Sequence, residues 1–118
     1  MKKSIIAVVA LAALAIAVAL PLFAADQTWS NVSLIDQKCS TRFKPDTADT
    51  HTLSCAMACA SSGFGILTSD GTFLMFDKDG SQKATNALKA STQKDHIRAT
   101  VTGALDGKTI KVSSIKLD

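Results

Sequence analysis

Apolar and polar residues alternate through the last third of the chain, which is the period of a half-buried β-strand. The alternation runs from 97 to 102 and again from 109 to 112. Asp106-Gly107 separates the two runs, and an Asp-Gly pair favours a hairpin turn because glycine adopts positive φ at low cost. The phase slips at Ser113-Ser114, so we expect a β-bulge or bend near the end of the last strand.

A second hairpin is predicted in the middle of the chain. The apolar runs GFGILT (63–68) and TFLMFD (72–77) flank the pair Asp70-Gly71. One further strand is predicted within TWSNVSLIDQ (28–37), ahead of both hairpins. The pattern therefore predicts five strands.

Helical spacing marks two other segments. HTLSCAMACASSG (51–63) is predicted to be a helix that Asp49 or Thr50 caps and that Gly63 ends. SQKATNALKAS is the second predicted helix, with Ser81 as its cap. The first helix has an apolar face made of Leu53, Ala56, Met57 and Ala60.

The element order is strand, helix, hairpin, helix, hairpin. Five strands with a helix between the third and fourth is the order of an OB-type barrel. We therefore predict a mainly β fold, a small five-stranded OB-like barrel with a cysteine-bearing helix inserted between strands 1 and 2. A small α+β sandwich built from the same elements is the alternative, since periodicity does not give strand pairing.

The N-terminal segment has the layout of a secretory signal peptide. Lys2 and Lys3 precede an apolar run, and small residues follow before Asp26. We predict a signal peptide at 1–25, a single domain at 26–118, and a periplasmic or secreted location with no membrane insertion after cleavage.

Charge and motif content narrow the function classes. Without Lys2 and Lys3 the chain has eleven basic residues against ten aspartates, a net charge of +1, so nucleic acid is not an expected partner. The chain has no glutamate, no nucleophile elbow and no phosphate-binding glycine loop. We expect no enzyme activity. Three aromatic residues are expected in the core rather than on a binding platform: Phe64, Phe73 and Phe76.

The candidate chemistry lies in one histidine and three cysteines. At about 100° per residue, His51, Cys55 and Cys59 share one side of the predicted helix, with Cys39 on the loop before it. His51 and Cys59 are about 12 Å apart along the axis, so only neighbouring pairs can chelate together. If the helix begins at Thr52, His51 can fold back and complete a Cys3His set. That set suits zinc, and two or three thiolates alone suit copper(I).

A disulfide is the competing expectation, because thiols oxidise readily outside the cytoplasm. Cys39 can reach Cys55 or Cys59, whereas Cys55 with Cys59 is a poor bridge because both lie on one helix. Three is an odd number, so one thiol is left over. His96, beside Asp95, is expected to be exposed rather than a further ligand.

Five stretches together carry a resemblance: DQKCS, HTLSCAMAC, SGFGILTSDGTFLMFD, QKDHIRATVTG and DGKTIKVSSIKL. They resemble a group of small secreted bacterial proteins that have a lysine-cysteine after the first strand, a cysteine-bearing helix and a C-terminal hairpin. The resemblance implies an exported OB-like domain and implies no activity.

Three functions follow as hypotheses. The first is a binding module for an unknown protein or small ligand, with structural cysteines and no cofactor. The second is zinc or copper binding in the cell envelope through Cys39, Cys55 and Cys59, with His51. The third is thiol redox chemistry at the spare cysteine.

Overall fold

The structure is a computed structural model that describes residues 25–118. The predicted signal peptide lies outside these residues apart from Ala25. No helix within 25–118 is both long and apolar enough to cross a membrane. The five strands are β1 (Gln27–Asp36), β2 (Phe64–Leu67), β3 (Phe73–Phe76), β4 (Arg98–Asp106) and β5 (Thr109–Leu117). The two helices are α1 (Leu53–Ala58) and α2 (Lys78–Lys89), and three short 3-10 turns span Gln37–Cys39, Ala48–Thr50 and Ala60–Ser62.

The strands close into a barrel in the order β1-β2-β3-β5-β4. Neighbouring strands are antiparallel except β3 and β5, which run parallel. This closure confirms the predicted five-stranded OB-like barrel, with α1 between β1 and β2 and α2 between β3 and β4. The alternative sandwich is wrong, because β1 pairs with both β2 and β4 and leaves one continuous sheet.

The predicted bulge in the last strand is confirmed by the β4–β5 register. Thr102 pairs with Ser114 and Gly103 with Val112, which leaves Ser113 without a partner residue on β4. The extra residue resets the alternation so that the apolar residues on both sides of it continue to face inward.

Both helices begin at residues other than the predicted caps. Thr52 caps α1 in place of Asp49 or Thr50, and its hydroxyl accepts a hydrogen bond from the Cys55 amide at 3.1 Å. Asp77 caps α2, where its carboxylate accepts from the Gly80 amide at 2.9 Å. The predicted cap Ser81 is wrong. An Asp-Gly pair is typical of a turn, so Asp79-Gly80 was expected to precede the helix, whereas both residues belong to the first turn of α2.

The buried apolar residues form two clusters on opposite faces of β1. Leu34 belongs to the barrel interior and Ile35, the next residue, to a second cluster on the outer face. Phe64 and Phe76 are buried in the interior, and half-buried Phe73 packs on the outer cluster, as expected for core aromatics. The outer cluster consists of Ile35, Cys39, Ala48 and Leu67, with Phe43, Cys59 and Phe73 against it. The connection between β1 and β2 therefore covers the outer face of the barrel, and the candidate site lies within that cover.

Candidate metal centre

Asp36 is the last residue of β1 and is fully buried. Its Oδ2 accepts a hydrogen bond from the Cys39 amide at 2.9 Å, so the carboxylate caps the 3-10 turn that follows the strand. The other oxygen, Oδ1, is left to face His51. The carboxylate thus has one structural oxygen and one oxygen directed at the site.

Cys39 is placed by that capped turn and is buried. Burial raises the pKa of its thiol to about 11, and the Asp36 carboxylate and a hydrogen bond to it act in the same direction. A thiol in this state is a poor nucleophile, because the reactive form is the thiolate. A bound metal ion, in contrast, displaces the thiol proton directly.

His51 follows the second 3-10 turn and is buried beside Asp36. Its amide donates to the Ala48 carbonyl at 3.1 Å, and its ring packs nearly perpendicular to Phe43, with the two centroids 4.9 Å apart. The turn is fixed to β4 by a two-pronged ion pair, in which Arg98 donates to both Asp49 oxygens at 2.9 and 3.0 Å. The imidazole is therefore held by backbone and by neighbours on other elements.

The three side chains form one group. One ligand atom from each of Asp36, Cys39 and His51 lies within 4.8 Å of the other two. Nε2 of His51 is 2.9 Å from Oδ1 of Asp36, but the approach lacks the alignment of a hydrogen bond. Within the described residues, Asp36 Oδ1 and both imidazole nitrogens have no hydrogen-bond partner. Buried polar atoms of this kind are costly unless something binds them.

A cysteine, a histidine and an aspartate also suggest a nucleophilic triad, but the geometry does not support one. The Cys39 thiol interacts with Asp36, which raises its pKa instead of activating it. The sulfur is also buried, so a substrate would have no access to it. The arrangement matches an ion-binding group of one carboxylate, one sulfur and one imidazole.

The other two cysteines occupy different environments. Cys59 is half-buried against the outer cluster and raises the pKa of the Cys39 thiol, whereas Cys55 is exposed. All three are free thiols in the described chain. The structure therefore brings together Cys39 and His51 of the four predicted residues, places Cys59 beside them and leaves Cys55 apart. A bridge from Cys39 to Cys55 or Cys59 stays a prediction.

Asp36 was missed by the sequence reasoning. The signal that points to it is the spacing Asp-x-x-Cys in DQKC, which places a carboxylate and a thiol on one capped turn directly after a strand. His96 is exposed, as expected, and its Nδ1 lies 2.8 Å from Asp95 Oδ1.

Searches of protein families, curated proteins and solved structures found no match to this chain. The class of protein is therefore defined by its own geometry. It is a small OB-like barrel whose β1–β2 connection encloses a buried group of Asp36, Cys39 and His51.

Proposed function

We propose that this protein is an exported zinc-binding module in which Asp36, Cys39 and His51 hold one zinc ion. The observation that carries the proposal is a buried group in which one ligand atom from each of three side chains lies within 4.8 Å of the other two. Within the described residues, Asp36 Oδ1 and both imidazole nitrogens make no hydrogen bond, although Oδ1 and Nε2 lie 2.9 Å apart. The resemblance to small secreted proteins and the signal-like N-terminus support the exported location.

The ligand chemistry favours zinc over copper(I). Zinc binds cysteine sulfur, histidine nitrogen and carboxylate oxygen in four-coordinate sites, whereas copper(I) prefers sulfur ligands alone. Here a single thiol is grouped with an oxygen and a nitrogen ligand. Three protein ligands leave a fourth position on zinc for water.

A binding module with structural cysteines is the second candidate. It is supported by a surface groove of about 360 Å³ beside β1, whose lining combines an aromatic ring with polar groups. It is also supported by the closeness of Cys59 to Cys39, which suits a structural bridge. The groove residues that a ligand would meet include Trp29, Asn31 and Arg98.

Cobalt(II) is a suitable probe, because it takes tetrahedral zinc sites and shows a thiolate-to-metal absorption band. We expect the reduced protein, lacking residues 1–25, to bind one cobalt per chain with this band, and zinc to displace it. Cys39→Ser removes the band, since it removes the sulfur of the proposed set. His51→Ala weakens binding because it removes the nitrogen.

The matched control is His96→Ala, which deletes the other histidine, in its exposed pair with Asp95. This variant should bind cobalt as the unmodified protein does. An unchanged band in Cys39→Ser, or no binding by the reduced protein, contradicts the proposal. A Cys39–Cys59 bridge in freshly isolated protein that persists with excess zinc supports the second candidate instead.

A further inference from the structure

The proposed ligands are enclosed, so a metal ion needs a route to them. Asp36, Cys39 and His51 are all buried, and the Phe43 ring packs against the imidazole. A strongly hydrated divalent ion does not cross apolar cover without ligands that replace its water. The side chains between the site and solvent therefore determine that route.

Cys59 is the first thiol outside the proposed set. The turn that carries Cys39 is fixed to the segment after α1 by two hydrogen bonds, Gln37 N–H to the Gly63 carbonyl at 2.9 Å and Lys38 N–H to the Ser62 hydroxyl at 3.2 Å. Ser62 in turn donates to the Cys59 carbonyl at 2.8 Å. These contacts hold Cys59 close to Cys39.

Cys59 does not belong to the compact group itself. Among the described residues, its sulfur is not one of the ligand atoms that lie within 4.8 Å of one another. It is half-buried, which is intermediate between the buried site and solvent. It is thus placed to contact an ion on its way to Cys39 rather than to hold one at the site.

Cys55 lies one helical turn before Cys59. Cys59 directly follows α1, and its amide donates to the Cys55 carbonyl at 3.2 Å, so the two residues lie one turn apart, at a rise of about 6 Å. Cys55 is exposed. The three thiols therefore form a series from exposed through half-buried to buried.

We propose that Cys55 and Cys59 are transfer ligands that carry zinc from a donor at the surface to the buried group. This inference rests on the proposed zinc function. One bond between zinc and the donor breaks as zinc binds Cys55, whose thiol proton goes to solvent; a bond to Cys59 then forms as the bond to Cys55 breaks, and the proton that Cys59 loses goes to Cys55. The same exchange then moves the ion to Cys39, with Asp36 and His51 completing the set. No electron is transferred at any step.

The donor is a zinc chelator that can share its ion with an exposed thiolate before releasing it. Because Cys55 lies at the surface, a mixed complex of donor, zinc and Cys55 can form without opening the fold. The proposal therefore predicts that Cys55 affects the rate of transfer and leaves the final affinity unchanged.

The test follows zinc leaving its coloured complex with 4-(2-pyridylazo)resorcinol in stopped flow, with reduced protein in excess. Cys55→Ser should slow the transfer several-fold, because it removes the ligand that first shares the ion with the donor, with the equilibrium affinity unchanged. Cys55→His should restore most of the rate, since imidazole also binds zinc. Ser54→Ala, a change at the exposed neighbour on α1, should behave as the unmodified protein.

The outcomes separate the route from the site. Equal rates for Cys55→Ser and the unmodified protein overturn the route and leave the zinc function intact. Faster transfer in Phe43→Ala, with no effect of Cys55→Ser, likewise overturns it and places access beside the imidazole. If the reduced protein takes no zinc from the dye or from a solution of free zinc, both the proposed zinc site and the proposed transfer route are wrong.

Discussion

The molecule contains two histidine–aspartate pairs with nearly equal separations and opposite surroundings. His51 and Asp36 are 2.9 Å apart with side chains 2% and 0% exposed, whereas His96 and Asp95 are 2.8 Å apart and 68% and 56% exposed. Distance alone therefore does not distinguish a site from an ordinary surface contact. The burial of the pair and the presence of a third ligand residue distinguish the two.

The physical difference is solvation. Water surrounds the His96 pair and replaces any hydrogen bond it lacks, so the pair contributes little to folding. The buried pair has lost that water. Its atoms that make no hydrogen bond raise the free energy of the folded state unless an ion binds them. The two pairs also differ in the buried thiol of Cys39, which adds a third metal ligand to Asp36 and His51.

Removing the histidine of each pair should give the largest difference in the free energy of unfolding. His51→Ala leaves a cavity beside the buried Asp36 carboxylate and removes the side chain that faces it, which is expected to lower the free energy of unfolding by about 3 kcal/mol. His96→Ala should leave it unchanged within the error of the measurement, as surface substitutions usually do. Urea unfolding at neutral pH measures both. Similar losses in the two variants would show that burial does not separate the pairs.

Zinc should stabilise only proteins with the intact buried group. Free zinc at 100 times its dissociation constant raises the free energy of unfolding by about 2.7 kcal/mol, since it binds the folded state. We expect this gain in the unmodified protein and in His96→Ala, and its loss in Cys39→Ser. Thermal unfolding with and without zinc provides the measurement, and an equal gain in Cys39→Ser would contradict the assigned ligand.

The ion pair that holds the turn before His51 should have a smaller and pH-dependent effect. Hydrogen bonds from Arg98 lower the pKa of the Asp49 carboxyl below its usual 3.8. Asp49→Asn should therefore cost about 1 kcal/mol at neutral pH, a modest amount because both side chains remain about 30% exposed.

The sign of the pH dependence follows from the lowered pKa. The stability that Asp49 adds is fully present above pH 3.8, and it is lost as the pH falls through the lower pKa of the folded state. The difference in unfolding free energy between the unmodified protein and Asp49→Asn should therefore shrink on acidification below 3.8. A difference that stays constant down to acid unfolding would contradict the ion pair.

The smallest effect is expected at the exposed pair. The hydrogen bond to Asp95 raises the pKa of His96 above 6.5, so any stability it adds is present below that pH and lost as the pH rises past the folded-state pKa. Asp95→Asn should shift the His96 pKa downward in an NMR titration of the ring protons. An unchanged pKa would show that the contact does not persist in solution.

The barrel could be predicted from sequence because its signals are local. Alternation defines the strands, and Asp70-Gly71 and Asp106-Gly107 mark turns that fix which strands are neighbours. Asp79-Gly80 misled the assignment of α2, because Gly80 packs closely against Val112 and has a helical role that no local pattern shows.

The candidate site was only partly predictable because it depends on contacts between distant segments. Cys39 and His51 stood out as rare residue types, but nothing local indicates that Asp36, at a strand end, is fully buried. Helical angles also grouped Cys55 with His51. In the fold His51 lies before α1 and is buried, whereas Cys55 lies on α1 and is exposed.

X-ray absorption at the zinc edge of the zinc-loaded, reduced protein tests the central claim most directly. The account predicts that zinc has one sulfur neighbour, the Cys39 sulfur, at about 2.3 Å. The other neighbours of zinc should be nitrogen or oxygen at about 2.0–2.2 Å. Cys39→Ser should lose the sulfur neighbour. A shell made only of sulfur, or one without sulfur in the unmodified protein, would contradict the assignment of Asp36, Cys39 and His51 as the zinc ligands.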